Sequence, residues 1–329
     1  MKRFRVGIIG LGLIGKKRAL NLGPKADLIA YCDLKKKNLY TNKKIKFYKN
    51  WKDLIQVKEL DIIIISTTHV FLAPILLEAC KYKKNIFIEK PASIDLRLLK
   101  KIISLSKLYK NKIRVGYNHR FYPSILKSRK IIDKGLIGKL MFIKSSYGHG
   151  GRPGYEKEWR LNSKLSGGGE LIDQGSHLID LSIFFLGKVK KIKSKINNYF
   201  WKTNVDDNAF VILEFEKKYI SFFHVSCTEW KNNFTFEIYG TKGKLKIEGK
   251  GGSYGREKLT LYEMKKNVML PFITTWKFQR NDTSWQTELN EFYDDINFGR
   301  EPNPNLNQAY EVLKIVKSIY RSNKYDHCS

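Results

Sequence analysis

Phe4 to Ile9 is an unbroken apolar run that opens directly into Gly10-Leu11-Gly12-Leu13-Ile14-Gly15. A GxGxxG in that place narrows the possible folds more than any other feature of the chain. An aliphatic run without polar alternation suits a parallel strand covered on both faces. The first glycine permits a tight turn, the second lets a pyrophosphate approach the backbone, and the third lets the next helix pack close to the strand. The helix beginning around Leu13 and Ile14 then offers free N–H groups to an anion. The motif means little alone; the strand before it and the helix after it make it specific. Asp33 closes the second apolar run, about 20 residues beyond the first glycine. A carboxylate there can accept both ribose hydroxyls and repels a 2′-phosphate. These residues predict NAD in preference to NADP, although Lys35, Lys36 and Lys37 follow at once and soften the repulsion.

The strand–turn–helix pattern repeats. Leu28 to Cys32, Asp61 to Ser66, Asn85 to Ile88 and Ile113 to Gly116 read as further buried strands. Helical candidates lie between them at Gly15 to Leu22, Trp51 to Gln56, Phe71 to Tyr82 and Asp95 to Tyr109. This alternation predicts an α/β domain over residues 1–119, a Rossmann-type doubly wound parallel sheet that binds a dinucleotide. After about residue 120 the texture changes. Helices at Tyr122 to Lys134 and Glu170 to Phe185 precede five candidate strands: Lys191 to Asn198, Ala209 to Phe215, Ile220 to Thr228, Phe234 to Tyr239 and Lys244 to Glu248. Gly240 to Gly243 is a hairpin turn between the last two. Trp285 to Phe298 and Leu306 to Arg321 read as closing helices. The expectation for residues 120–329 is an α+β domain with an open, mostly antiparallel sheet that binds substrate. A sheet covered on one face only leaves an apolar surface, which predicts a homo-oligomer, dimer or tetramer.

At 329 residues and 42% hydrophobic, the chain can build two cores. No apolar run approaches the roughly 18 residues of a membrane span. Met1-Lys2-Arg3 before an apolar stretch superficially resembles a leader. Glycines interrupt that stretch, however, and it runs into Lys16-Lys17-Arg18, so it reads as a strand. Cys32, Cys80, Cys227 and Cys328 are widely spaced and contain no CxxC. That argues against a disulfide framework or a zinc site and suits the cytoplasm. The net charge of +31 admits two readings: attraction for an anionic partner, or lysines spread over solvated faces. The lysines recur along the whole chain (Lys43-Lys44, Lys83-Lys84, Lys190-Lys191, Lys217-Lys218, Lys265-Lys266), which favours solvated surface. No recognition helix, aromatic RNA-binding strand or zinc module accompanies them, so nucleic acid is not expected as a partner.

Asp173, His177 and Asp180 stand at i, i+4 and i+7 in an apolar segment, so a helix there would carry them on one face. A histidine titrates near neutrality and a neighbouring carboxylate can orient it. The same stripe also suits a core histidine satisfied by local acids. A family becomes recognisable at Glu89-Lys90-Pro91, with the glycine motif before it and Gly167-Gly168-Gly169-Glu170-Leu171-Ile172-Asp173-Gln174-Gly175-Ser176-His177-Leu178-Ile179-Asp180 after it. The chain resembles the glucose–fructose oxidoreductase / inositol dehydrogenase / MocA family over residues 4 to at least 187, and the Gly240 to Gly243 hairpin is also similar.

That resemblance implies an NAD-dependent oxidoreductase acting on a sugar or polyol hydroxyl. It implies catalytic roles for Lys90, Asp173 and His177, whereas the position of Asp180 equally suits a brace for the helix. It places Ser66, Thr67, Thr68, His69, Glu89, Lys90, Asn118 and Arg160 at the cofactor, and Arg120 with Lys90, Asp173 and His177 at the substrate. The family's loop after the fourth strand usually reads Thr-Pro-Asn-x-x-His. Here it is Thr67-Thr68-His69-Val70-Phe71-Leu72, which lacks the proline and removes any role of that histidine. In the glycine-rich loop Gly148 to Tyr155 and the following Trp159-Arg160, Arg152 and Arg160 can fork onto phosphate or carboxylate. Tyr155 and Trp159 can stack on a sugar. The substrate expected from the arginines is a nucleotide sugar or sugar acid, with an inositol or simple aldose as the alternative; a non-catalytic NAD sensor is the distant alternative.

Overall fold

The computed structural model describes residues 3–36, 45–264, 269–279 and 281–325. Lys37, the Lys43-Lys44 and Lys265-Lys266 pairs and Cys328 lie outside the described residues. The chain forms two compact units, one of Met1–Tyr117 with Trp285–Lys314, the other of Asn118–Ser284 with Ile315–Ser329.

The first unit is a parallel sheet in the order β3-β2-β1-β4-β5-β6. Its strands are β1 (Phe4–Ile9), β2 (Ala26–Cys32), β3 (Lys46–Tyr48), β4 (Ile62–Ile65), β5 (Asn85–Glu89) and β6 (Ile113–Gly116). The helices α1 (Leu13–Leu20), α2 (Trp51–Ile55), α3 (His69–Ala79) and α4 (Leu96–Tyr109) connect them. Strand order reverses between β1 and β4, the place where doubly wound sheets bind their ligands. β3 escapes sequence reading because a three-residue, lysine-led edge strand buries too little to leave a hydrophobic signature. A break at residue 119 would leave the closing helix α8 (Ser284–Asn297) with the second unit. Instead Leu289, Phe292 and Tyr293 join Val6, Ile8, Ile62, Ile64 and Phe87 in one buried cluster. Apolar burial, not chain order, sets that boundary.

The second unit carries an eight-stranded sheet, β14-β13-β12-β11-β7-β10-β9-β8. Its strands are β7 (Leu140–Gly148), β8 (Val189–Asn197), β9 (Asn208–Phe215), β10 (Ile220–Ser226), β11 (Asn233–Gly240), β12 (Gly243–Glu248), β13 (Lys258–Glu263) and β14 (Phe272–Lys277). All pairings are antiparallel except β7 with β10. β7 sits in the middle of the sheet, yet its polar Lys144-Ser145-Ser146 hides it in the sequence. Helices α5 (Pro123–Asp133) and α7 (Ser176–Leu186), with the single turn α6 (Ser163–Ser166) between them in the chain, pack against β12–β13 and β7 respectively. On β9, Val211 and Leu213 are buried while Phe210 and Ile212 are exposed, the period-2 pattern of a sheet with one open face. The last helix, α9 (Leu306–Ser322), is shared between the two units. No helix among the described residues is long and apolar enough to cross a membrane.

Candidate active site

The glycine turn has a division of labour. Gly10 has φ +88°, and a Cβ there would lie 2.7 Å from the Ser66 carbonyl oxygen. A Cβ at Gly15 would lie 1.9 Å from the Gly10 oxygen. Both glycines are required by packing. Gly12 differs: a Cβ there would meet nothing within 4 Å, so its backbone borders open space. It is also the N-cap of α1, with no side chain capping the first-turn amides. Free amides beside open space fit a pyrophosphate. The Asp33 carboxylate is held at this turn by accepting the Leu11 N–H at 2.9 Å. Ser66 Oγ donates to the Gly10 carbonyl at 2.7 Å, tying the end of β4 to the same turn. Thr67 and Thr68 follow, Thr68 as the N-cap of α3, and His69 begins that helix and is buried. Leu72, at the family's usual histidine position, is fully buried. The first-turn amides of α1 and the Asp33 carboxylate thus meet at one glycine turn.

Lys90 follows β5, and the Lys90–Pro91 peptide is cis. Glu89, expected at the cofactor, is held by an arginine. Its carboxylate accepts from Arg18 Nε at 2.6 Å, and Arg18 Nη1 donates to Glu288 at 2.7 Å. The Arg18 guanidinium lies between the rings of Phe87 and Trp285, 4.2 and 4.4 Å from their centroids. One buried cation therefore serves two buried carboxylates, and the Glu89 side chain braces the fold. Burial pushes Glu288 up to about 7, because desolvation outweighs the pull of Arg18 and Glu89 adds repulsion.

In the second unit the Asp173–His177 segment is not one regular helix. Leu171–Gly175 is a π-helical turn, and α7 starts at Ser176; such turns recur at functional sites. Asp206 anchors its start by accepting Gly169 N–H at 3.0 Å, Leu171 N–H at 2.7 Å and Tyr320 O–H at 2.8 Å. Gly169 must be glycine, since its Cβ would lie 1.8 Å from the Asp206 carbonyl. Despite those three donors, burial raises Asp206 to about 6.

The three side chains read as one stripe separate into different roles. His177 is buried, and its ring stacks on His119 with centroids 3.8 Å and planes 15° apart. Asp173 accepts from Arg160 Nε at 3.1 Å. Asp180 takes a bidentate fork from Arg120, at 2.7 and 2.6 Å, with both residues buried. Arg120, expected at the substrate, is engaged by Asp180 and braces α7. Arg160, expected at the cofactor or at an anion, holds Asp173. Asn118 is buried and donates to Ser284 Oγ at 2.9 Å.

The glycine-rich loop is also rearranged relative to expectation. Tyr155 is 2% exposed and donates to Glu170 Oε1 at 3.1 Å, so it cannot stack on a sugar. The His149 Nε2 lies 3.4 Å from the same oxygen, and its Nδ1 accepts the Gly151 N–H at 2.9 Å. Burial alone would lower the His149 imidazole, but Glu170 prevails and raises it. Arg152 contacts Glu158 at 2.5 Å while staying largely exposed, and Trp159 lies under the Arg160 guanidinium. Sequence reasoning passed over His119, Glu170 and Asp206. Their signal is weak: His119 lies between Asn118 and Arg120, Glu170 follows three glycines and Asp206 precedes Asp207 and Asn208, so nothing in the spacing singles them out.

Two family profiles match the chain. An oxidoreductase family with an NAD-binding Rossmann fold matches residues 4–117, and a GFO/IDH/MocA C-terminal domain matches residues 125–246. An uncharacterised oxidoreductase, YrbE of Bacillus subtilis, is 23% identical over 98% of this chain and 94% of its own length. Myo-inositol 2-dehydrogenase of Thermotoga maritima is 25% identical over 73% of this chain and 74% of its own. Among solved structures, levoglucosan dehydrogenase in complex with NADH and levoglucosan superposes with a TM-score of 0.88 at 19% identity, covering 98% of each chain. At that identity the likeness establishes the fold.

Proposed function

The chain belongs to the GFO/IDH/MocA oxidoreductase family, and from that premise we propose that it interconverts a secondary hydroxyl and a ketone of a sugar, with a nucleotide sugar or sugar acid as substrate. The observation that carries this reading is His177: a buried imidazole fixed by a parallel stack on His119, in the first turn of α7 directly after the π-helical turn that carries Asp173. NAD, when bound, supplies the hydride acceptor or donor. The residues of the chain handle the proton and the charge. His177 takes the proton of the substrate hydroxyl during oxidation, and the Lys90 ammonium stabilises the alkoxide oxygen as it forms. Asp173, itself held by Arg160, orients the reacting pair. The exposed Arg152 favours an anionic substrate. A second reading, an inositol or simple aldose, is supported by the named activities of the relatives and by the engagement of Arg160 with Asp173. The buried free thiols Cys32, Cys80 and Cys227 support a reducing, cytoplasmic setting.

The test is a screen of nucleotide sugars, inositols and aldoses with NAD and with NADP, read by nicotinamide fluorescence. A nucleotide sugar should turn over fastest, with NAD preferred. Asp33→Ser should weaken NAD and improve NADP, because the carboxylate both binds the ribose hydroxyls and repels the added phosphate. Tighter wild-type binding of NADP than of NAD defeats the reading of Asp33. No turnover of any sugar leaves an NAD-binding sensor.

We also propose a homodimer or homotetramer formed through the open sheet face. Phe142, Phe210, Ile212, Ile220 and Phe222 are each more than a third exposed there. They are neighbours across β7, β10 and β9, with Phe222 paired to both Lys144 and Ile212. Light scattering should return two or four chains, and Ile212→Glu with Phe222→Glu should return one. A wild-type monomer at micromolar concentration rules the assembly out.

A further inference from the structure

The residues expected to stack on substrate are buried or covered, yet a different set of aromatic rings stands in the open on the second unit. Trp230 is 66% exposed, Tyr199 65% and Phe200 50%. They occupy the loops after β10 and β8, at the sheet end where β7 runs into the glycine-rich loop and where β9 and β11 begin. Asp206 ties the segment carrying Asp173 to that same end.

The rings are built into place. Fully buried Asp207 accepts the backbone N–H groups of Tyr199, Phe200 and Trp201 at 2.7 to 3.2 Å, clamping three successive residues on one carboxylate. Trp201 packs edge-on against buried Tyr155 at 5.2 Å and donates its Nε1–H to the Cys227 carbonyl at 2.9 Å. Trp230 takes a left-handed backbone, φ +55°, a conformation that costs energy for a bulky residue. It stays there because Glu229 N–H bonds the His149 carbonyl at 3.0 Å and because Gly150 leaves room, its absent Cβ falling 2.9 Å from the Trp230 Cα. A rigid loop thus turns a tryptophan outward beside the loop that bears Arg152. Phe200 meets Trp230 edge to face, with centroids 4.8 Å and planes 83° apart, forming a two-walled aromatic corner. Lys202 and Lys231, next to these rings in sequence, are exposed.

An aromatic corner alone suits any flat ring; cations beside it select one attached to an anion. We propose that Phe200 and Trp230 form the subsite for the nucleobase of a nucleoside diphosphate, the part of the substrate that does not react, with Lys202 and Lys231 toward its phosphates. This rests on the nucleotide-sugar reading above and assigns residues to it. A second copy of the chain is the rival occupant. The apolar surface suited to chain pairing is the open face of the sheet, whereas these rings lie on loops at its end.

The experiment is calorimetry on the NADH-saturated full chain, which keeps nucleotides out of the Rossmann site, with UDP, GDP, uridine and inorganic pyrophosphate as probes. UDP or GDP should bind at least tenfold tighter than pyrophosphate. Trp230→Ala should remove at least tenfold of that affinity, the usual scale of base stacking, and Trp230→Phe should keep most of it. Lys202→Ala with Lys231→Ala should weaken UDP while leaving uridine unchanged. Should Trp230→Ala not fold, Phe200→Ala carries the same expectation. The proposal is overturned if neither diphosphate binds tighter than pyrophosphate, or if the aromatic variants bind UDP like wild type. A fall in assembly mass for Trp230→Ala also overturns it, by showing the corner covered by another copy. Binding at the corner without turnover of any nucleotide sugar defeats the proposed reaction alone; turnover indifferent to Trp230 defeats the subsite alone.

Discussion

Folded His177→Ala protein should turn over at least about 100-fold more slowly than wild type, and Lys90→Ala should do the same, the scale expected for positioned acid–base groups. NAD affinity should change little in His177→Ala, since the dinucleotide contacts proposed here lie on Gly12 to Gly15 and Asp33 in the other unit. A histidine that serves only packing predicts the opposite pattern. Its ring stacks on His119, so loss of a purely structural ring would lower the melting temperature, and activity would fall only with the amount of folded protein. Turnover per folded molecule, with a melting curve beside it, separates the two. Near-normal turnover in folded His177→Ala would remove the proposed mechanism and leave the dinucleotide site standing by itself.

Arg18→Met should cost about 3–5 kcal/mol of stability, the usual scale for removing one partner from a buried ion pair. Arg18 is the cation between Glu89 and Glu288, with 0% exposure. Methionine matches its length and can lie between the Phe87 and Trp285 rings, so the loss reports charge more than volume. The effect should depend on pH in a definite direction. Glu288 sits at about 7 in the folded chain against an ordinary value of 4.5. A carboxyl raised on folding lends stability that is full below pH 4.5 and is lost as pH rises through 7. Wild-type stability should therefore fall from pH 5 to pH 8, by up to about 3 kcal/mol from this group. Asp206, raised to about 6, adds to the slope with the same sign, so Glu288→Gln should flatten it only in part. In Arg18→Met, Glu288 can shed its unpaired charge by protonation more readily at pH 5 than at pH 8, which makes the deficit larger at pH 8. Denaturant melts at the two pH values decide it. An equal deficit at both shows that Arg18 acts through packing alone.

The Rossmann half was legible in the sequence because its determinants are local. An aliphatic strand buried on both faces leaves a continuous run, as Ile62 to Ile65 does, and a glycine required by a turn must appear as glycine. Gly10 and Gly15 could be read from those rules, and a side chain at either would collide with the backbone; Asp33, read from the same pattern, lies at that turn. Strands that bury little or alternate imperfectly left no such mark, so β3, β7, β13 and β14 emerged only from pairing with their neighbours. The same limit governed the site. Sequence spacing could bring Asp173, His177 and Asp180 onto one helical face, because that depends on residues a few positions apart. What each side chain does depends on partners far away in the chain. Arg120 claims Asp180, Arg160 claims Asp173, and Arg18 claims both Glu89 and Glu288. A buried charge is too costly to leave without a counter-charge, so once folding buried these groups their arginines were committed to them. Tyr155 was withdrawn from the surface for a related reason, because Glu170 and Trp201 drew it inward, while a left-handed turn beside Gly150 held Trp230 out.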